Sequence, residues 1–377
     1  MITLASVGSA SSAAEYYSAD NYYTADQTQD ASSWFGEGAE VLGLSGKVEE
    51  AAFVAVLEGR LPDGSVIAGK DGVHRPGVDL TFSASKSVSL VAMLGGDKRL
   101  VEALKDSVAA TLRWAEKNVV EARVWDAAQG QQVPERTGNL IAATFLHDVN
   151  RNGEPQLHIH AVIANATKAS DGKWHAVRND ELYRAQHVLS AVHNAELRNR
   201  VEALGYETVP ARNSIDGAFE INGVTREAVE AFSTRRAEIL AELAKEDRGS
   251  ARERELAALS TRRGKELEPD AARQVAAWKE IARAIGFDSS RLIEHAMARE
   301  AGEQTVWSRV VDGIRGIGES GLAIASAMGL TPRDGDPLVP ERLGRLEPKA
   351  FAAAQAVASA ARELGEREAA FSRNDLI

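Results

Sequence analysis

The stretch Pro155-Gln156-Leu157-His158-Ile159-His160-Ala161-Val162-Ile163-Ala164-Asn165 constrains this chain more than any other. It is too apolar for a loop and reads as a buried strand. Side chains alternate along a strand, so His158 and His160 share one face, while Leu157, Ile159 and Ala161 point into a core on the other. Eleven residues before His158 lies His147, in Thr144-Phe145-Leu146-His147-Asp148, at the end of a second apolar run from Asn139 to Leu146. The intervening Val149-Asn150-Arg151-Asn152-Gly153-Glu154 is rich in turn residues. Paired as an antiparallel hairpin, the two runs bring His147 level with His158 and His160. Three neutral imidazoles on one sheet face can hold a divalent cation and leave coordination positions open, as a catalytic metal site requires.

The rest of the chain sets limits on that reading. Its 377 residues suffice for two or three domains with a large core. It contains no cysteine, so disulfides and thiolate metal sites are excluded, and a reducing cytoplasm is allowed. Met1 to Ala14 has neither the basic nor the apolar region of a signal peptide, and no apolar run reaches membrane-spanning length. The net charge of −11 opposes bulk attraction to nucleic acid, so any binding of DNA needs locally concentrated cations.

Further strands are expected over Ile2 to Val7, Val78 to Phe82, Val88 to Met93, Arg123 to Trp125 and Trp174 to Val177, and a hairpin over Tyr206 to Val209 and Ala218 to Ile221. Helices are expected after Ser9 to Ser12, over Val48 to Leu57, over Lys98 to Val120, and as one long rod over Leu182 to Leu204. Asp30 to Leu44 reads as a loop and a short helix. From Thr225 to Ala301 the pattern is helical and charged, and the prolines at 332, 337, 340 and 348 mark a linker. Antiparallel strands followed by helices give an α+β fold, with a central antiparallel sheet carrying the three histidines.

Four of the six tyrosines lie in two pairs, Tyr16-Tyr17 and Tyr22-Tyr23. A phenol is a weak nucleophile at neutral pH, but beside a charge-withdrawing metal it can attack a phosphodiester and retain the phosphate as an ester. Aromatic packing is the competing role. Asp79, an acid inside an apolar strand, is expected either to orient one ligating histidine or to accept the tyrosine proton. Thr81, Ser83, Ser85, Lys86 and Ser87 read as a polar, basic turn between two strands, suited to phosphate contact, with a plain solvated turn as the competing role. The remaining histidines, His74, His175, His187, His193 and His295, have no partner at ligand spacing and read as structural or surface residues. Gly316-Ile317-Gly318-Glu319-Ser320-Gly321 matches a dinucleotide-binding pattern but follows helix rather than strand, and Gly43 to Val48 is too short for a P-loop.

In order along residues 1–300 the chain resembles the conjugative relaxase domain of the TraI/TrwC (MobF) relaxase–helicases, within the HUH endonuclease superfamily. The resemblance rests on the tyrosine pairs, Trp34 with Gly36-Glu37-Gly38-Ala39-Glu40, Leu57 to Gly64, Arg75-Pro76-Gly77, Asp79 to Ser83, Thr137-Gly138-Asn139-Leu140, His147-Asp148, the Pro155 to Asn165 block and Asn194 to Leu197. It implies an antiparallel sheet backed by helices, with a helical lid over residues 225–300 closing on single-stranded DNA. It implies nicking at a plasmid origin of transfer through a 5′-phosphotyrosyl intermediate. The implied residues are Tyr16, Tyr17, Tyr22, Tyr23 and Asp79 in catalysis, His147, His158 and His160 on Mg²⁺ or Mn²⁺, and Arg75, Lys86 and Ser83 on DNA. Implied partners are the origin DNA with its adjacent hairpin, accessory origin-binding proteins and a type IV secretion coupling protein, with the protein passing to the recipient cytoplasm. Residues 301–348 are then a linker, and 349–377 the start of a helicase-like region too short to be active. The family usually carries Thr at position 159, which faces away from the metal, and Pro at position 85, where Ser is expected to loosen the turn. Two rival readings are a metallohydrolase using metal-bound water and a non-cutting origin-binding module.

Overall fold

The computed structural model describes residues 2–19, 31–67, 74–150, 152–211, 216–234, 238 and 271–301. Tyr22, Tyr23, the expected linker over 301–348 beyond its first residue, the helicase-like end and the Gly316 motif lie outside these residues.

The frame is a five-stranded antiparallel sheet in the order β1–β3–β7–β6–β2, formed by β1 (Ile2–Ser6), β2 (Ser32–Phe35), β3 (Gly77–Ser83), β6 (Ala142–Val149) and β7 (Pro155–Ala164). β7 is central: Ala161 to Ala164 are buried on both faces, while its first half carries Gln156, His158 and His160 on one face against Leu157 and Ile159 on the other. One face carries Leu80, Phe82, Leu157, Ile159, Ala161 and Ile163. They pack under α4 (Lys86–Gly95), α5 (Lys98–Asn118) and α7 (Gln186–Ala203) in the main core. α5 keeps Leu100, Leu104, Val108, Leu112 and Ala115 on its buried stripe, at the spacing of an amphipathic helix. The other face carries Ala143, Phe145, Val162 and Ala164, which pack under α1 (Ala10–Ala19) and α3 (Glu50–Leu57) in a second core. The sheet therefore lies between two helical layers, and the histidines project on the α1 side.

Smaller elements complete the first 234 residues. β4 (Glu121–Asp126) pairs with β5 (Gln131–Arg136), β8 (Thr167–Lys168) with β9 (Trp174–His175), and β10 (Thr208–Pro210) with β11 (Phe219–Ile221). α2 (Glu37–Val41) follows β2, and its approach depends on glycine. Gly36 has φ +105°, and a Cβ there would lie 2.3 Å from the Leu140 carbonyl oxygen. The Glu116 carboxylate, reaching from α5, accepts the backbone N–H of both Glu37 and Leu140 and closes the junction. α8 (Arg226–Ala231), α9 (Ala271–Ala284) and a further helix from residue 289 are the described parts of the helical segment after Thr225.

Four expectations are corrected. Val88 to Met93 is helix, not strand. Its residues are buried nearly all round, and an apolar run without a visible period does not distinguish the two. The basic turn between two strands accordingly does not exist: Ser85 sits at the N-cap of α4 with φ −63°, a value proline also adopts. Ser32–Phe35 is an edge strand within the expected loop. The rod over Leu182 to Leu204 is broken at Ala185 into α6 (Asn179–Arg184) and α7.

Candidate active site

The β6–β7 register places His147 directly opposite His158 and Phe145 opposite His160. The β3–β7 register places Asp79, Thr81 and Ser83 opposite Val162, His160 and His158. Directly paired residues share a face. Three strands thus deliver three imidazoles, one carboxylate and two hydroxyls to one patch of sheet. The ligand nitrogens of His147, His158 and His160 lie within 4.8 Å of one another, and their ring centroids are 4.8 to 5.2 Å apart.

Hydrogen bonds fix which nitrogen of His160 and of His158 is free to coordinate. The His160 Nδ1–H donates to Asp79 Oδ2 at 2.7 Å, with Thr81 Oγ1 3.2 Å from the same nitrogen. The His158 Nδ1–H donates to the Gln156 carbonyl at 2.7 Å. In both rings Nε2 is left with its lone pair, and His160 Nε2 is buried without a hydrogen-bond partner in the protein. Burial, with added repulsion from neighbouring imidazoles, holds His147 well below the ordinary histidine range and pushes His158 down to about 4. Both are neutral at pH 7, as ligands must be. An orphaned buried nitrogen, set tautomers and neutral rings fit a divalent cation.

α1 carries the tyrosines over this patch. Ser9 caps the helix, its hydroxyl accepting the Ser12 backbone N–H. The structure separates the adjacent pair. Tyr16 is 37% exposed, and its ring centroid lies 5.8 Å from that of His160 and 6.3 Å from that of His147. Tyr17 is 5% exposed, stacked on Phe145 at 5.0 Å with 14° between the planes. Burial first, then the charge of Asp79 and a hydrogen bond to it, push the Tyr17 phenol far above its ordinary value. Tyr16 is the accessible hydroxyl; Tyr17 is core.

The expected DNA contacts are not equivalent. Arg75 is exposed just before β3. Ser83 is half-buried opposite His158. Lys86 begins α4, and its ammonium donates to the Pro155 carbonyl at 2.8 Å; burial lowers it to about 8 despite Glu154 and Glu220 nearby. Sequence reasoning missed the Gln156 carbonyl that orients His158, because a backbone acceptor leaves no mark in the side-chain pattern. His193 is buried, within 3.3 Å of Ser107 Oγ and edge-on to Phe82, which agrees with a structural role.

An antiparallel sheet presenting three imidazoles beside an exposed helical phenol defines a cluster able to hold a divalent cation next to an accessible hydroxyl. A family model described as TrwC relaxase matches residues 10–285. The multifunctional conjugation protein TraI of Escherichia coli is 42% identical over 302 residues, covering 76% of this chain. The chain spans about 16% of that relative's length. A metal-bound structure of conjugative relaxase TrwC in complex with oriT DNA aligns with TM-score 0.69 and 37% identity, covering 77% of this chain and 100% of that one. So does TrwC with a 27-mer DNA comprising the recognition hairpin and the cleavage site, at TM-score 0.69 and 36% identity over the same shares. The chain belongs to the TrwC relaxase family.

Proposed function

We propose that this chain nicks one strand of DNA at a plasmid origin of transfer and holds the cut end on Tyr16 during conjugation. The observation that carries the reading is the placement of an exposed phenol 5.8 Å, ring to ring, from a histidine of the three-imidazole cluster. The resemblance to TrwC complexed with its cleavage-site DNA supports the same substrate.

The Tyr16 oxygen attacks the scissile phosphorus, and its proton leaves to solvent at the open edge of the site. A P–O(Tyr) bond forms and the P–O3′ bond breaks, giving a 5′-phosphotyrosyl link and a free 3′-hydroxyl once that oxygen is protonated. One phosphoester replaces another, so the step reverses without ATP, and rejoining follows when a 3′-hydroxyl returns. A divalent cation held by His147, His158 and His160 supplies Lewis-acid stabilisation of charge on the phosphate. Mn²⁺ or Mg²⁺ is the proposed ion; imidazole donors suit several first-row ions, while Mg²⁺ prefers oxygen. Asp79 acts on His160, since its Oδ2 is already engaged there. Tyr22 and Tyr23 are the proposed second nucleophiles for termination. Arg75 and Ser83 are the proposed contacts to the DNA backbone, and Lys86 acts through Pro155. Helices after Thr225 form the proposed lid on single-stranded DNA, within a relaxase unit over residues 1–300. Accessory origin-binding proteins, a secretion coupling protein and passage to the recipient cytoplasm complete the proposal. Among the described residues no helix is long and apolar enough to cross a membrane.

The test is a labelled oligonucleotide carrying the cognate origin, incubated with Mn²⁺ and run on a denaturing gel. A protein–DNA adduct that Tyr16→Phe abolishes is the expected result. Cutting without an adduct means metal-bound water is the nucleophile, and tight binding without cutting means a recognition module; either overturns the proposal.

A further inference from the structure

The tip of the metal-bearing hairpin is held from outside the sheet. The Gly153 carbonyl accepts two side-chain N–H groups, Gln274 Nε2 and Trp278 Nε1, both at 2.8 Å. Gln274 and Trp278 are four residues apart on α9 and so share one face. Glu154 accepts the backbone N–H of Thr234 at 2.7 Å together with its hydroxyl, and the Asn150 amide at 2.6 Å. The Pro155 carbonyl accepts Lys86 Nζ. Three successive residues at the start of β7 are therefore anchored to α9, to the residues after α8, and to α4. The next residue, Gln156, supplies the carbonyl that orients His158 and donates its own side-chain amide to the Ala84 carbonyl at 3.0 Å.

The opposite strand is held in the same place. Val149 ends β6, two residues beyond His147, and packs in a cluster with Leu90, Ala228, Phe232, Trp278 and Ala282. Trp278 is 2% exposed. Between His147 and Val149 the ladder slips by a bulge, so that beyond the His147–His158 pair only Val149–Pro155 continues it. A bulge relaxes local pairing and adds twist. The two imidazoles at the last regular rung thus depend on the tip, as well as the ladder, for their separation.

We propose that Gln274 and Trp278 are positioning residues for the metal centre. By gripping the Gly153 carbonyl they hold the β6–β7 hairpin where His147 and His158 meet one cation. Docking of α9 and binding of the metal then reinforce each other, because coupling between two binding events is reciprocal. This inference rests on the metal part of the function proposed above and is independent of the DNA chemistry. In the full reaction it makes docked α9 and the loaded metal centre a single state, so undocking of α9 lowers metal affinity.

The experiment uses the full chain without DNA. Gln274→Ala and Trp278→Phe remove one N–H donor each, and Val201→Ala, in the core away from the hairpin, controls for loss of stability alone. Mn²⁺ affinity is measured by electron paramagnetic resonance, and hydrogen–deuterium exchange of residues 271–284 is followed with and without Mn²⁺. Loss of an outer-shell partner of a metal ligand costs about 10- to 100-fold in affinity, and these residues act one step further out, so about three- to tenfold weakening is expected for each variant. Val201→Ala is expected to bind Mn²⁺ as the unsubstituted chain does. Saturating Mn²⁺ is expected to slow exchange in α9. Mn²⁺ affinities within twofold of the unsubstituted chain in both donor variants, an equal loss in Val201→Ala, or α9 exchange indifferent to Mn²⁺ would each overturn the proposal. Failure of the unsubstituted chain to bind Mn²⁺ would instead remove the metal reading on which it stands.

Discussion

Replacing Asp79 by Asn tests how the site holds its metal. The Asp79 carboxylate sits 2.7 Å from His160 Nδ1 with both side chains nearly buried, at 11% and 8% exposed. A carboxylate only accepts at neutral pH, so it forces the ring proton onto Nδ1 and the lone pair onto Nε2. An amide has no such preference. Its NH₂ can donate to Nδ1, and the proton then moves to Nε2, where it blocks coordination. The negative charge that raises ligand basicity is lost as well. Losses at such partners run about 10- to 100-fold in metal affinity, or about 1.4 to 2.8 kcal/mol. Thr81 Oγ1, at 3.2 Å from the same nitrogen, is the weaker neighbour, so Thr81→Val is expected to cost less than tenfold. Titration with Mn²⁺, read by calorimetry or electron paramagnetic resonance, measures both. The substitution is nearly isosteric, so thermal unfolding of the metal-free protein checks that the fold survives. An Asp79→Asn protein that is folded and binds Mn²⁺ within twofold of the original would refute the claim that the carboxylate sets the ligand tautomer.

Three further outcomes follow from the same geometry. Tyr17→Phe keeps the stack on Phe145 and removes only a buried hydroxyl, so it is expected to shift stability by no more than about 2 kcal/mol and to retain the covalent adduct; loss of the adduct in a folded Tyr17→Phe protein would show that the buried phenol reacts. Gly36→Ala forces a Cβ to 2.3 Å from the Leu140 oxygen at a positive φ and is expected to destabilise by about 2 kcal/mol or more, measured by denaturant unfolding. Burial holds His193 down to about 3, below its unfolded value near 6.5, so the unfolded chain takes the proton first as pH falls. Its contribution is intact above pH 6.5 and is lost progressively as pH drops from there toward 3, at up to about 1.4 kcal/mol per pH unit. His193→Asn is expected to flatten that part of the stability–pH profile, and an unchanged slope would count against a buried neutral imidazole.

What the sequence determined by itself was what depends on period and spacing. Alternation along Pro155 to Asn165 put His158 and His160 on one face and Ile159 on the other, and a turn-rich hexapeptide placed His147 opposite. The amphipathic stripe of α5 was legible for the same reason: one face of it is buried and the other is not. The pattern failed where burial is uniform. Val88 to Met93 lies inside the protein on nearly every side, so no alternation remained to separate helix from strand, and the error carried with it the imagined basic turn at Lys86. Tertiary structure alone decided the rest. Tyr16 and Tyr17 are chemically identical neighbours, and only the direction of α1 over the sheet makes one a solvent-edge hydroxyl and the other a ring stacked on Phe145. The partners that orient His158 and hold the hairpin tip are a backbone carbonyl at Gln156 and side chains at Gln274 and Trp278, more than a hundred residues downstream. Main-chain acceptors are the same at every position, and a hydrogen bond between distant segments has no periodicity, so such contacts exist only once the chain has folded.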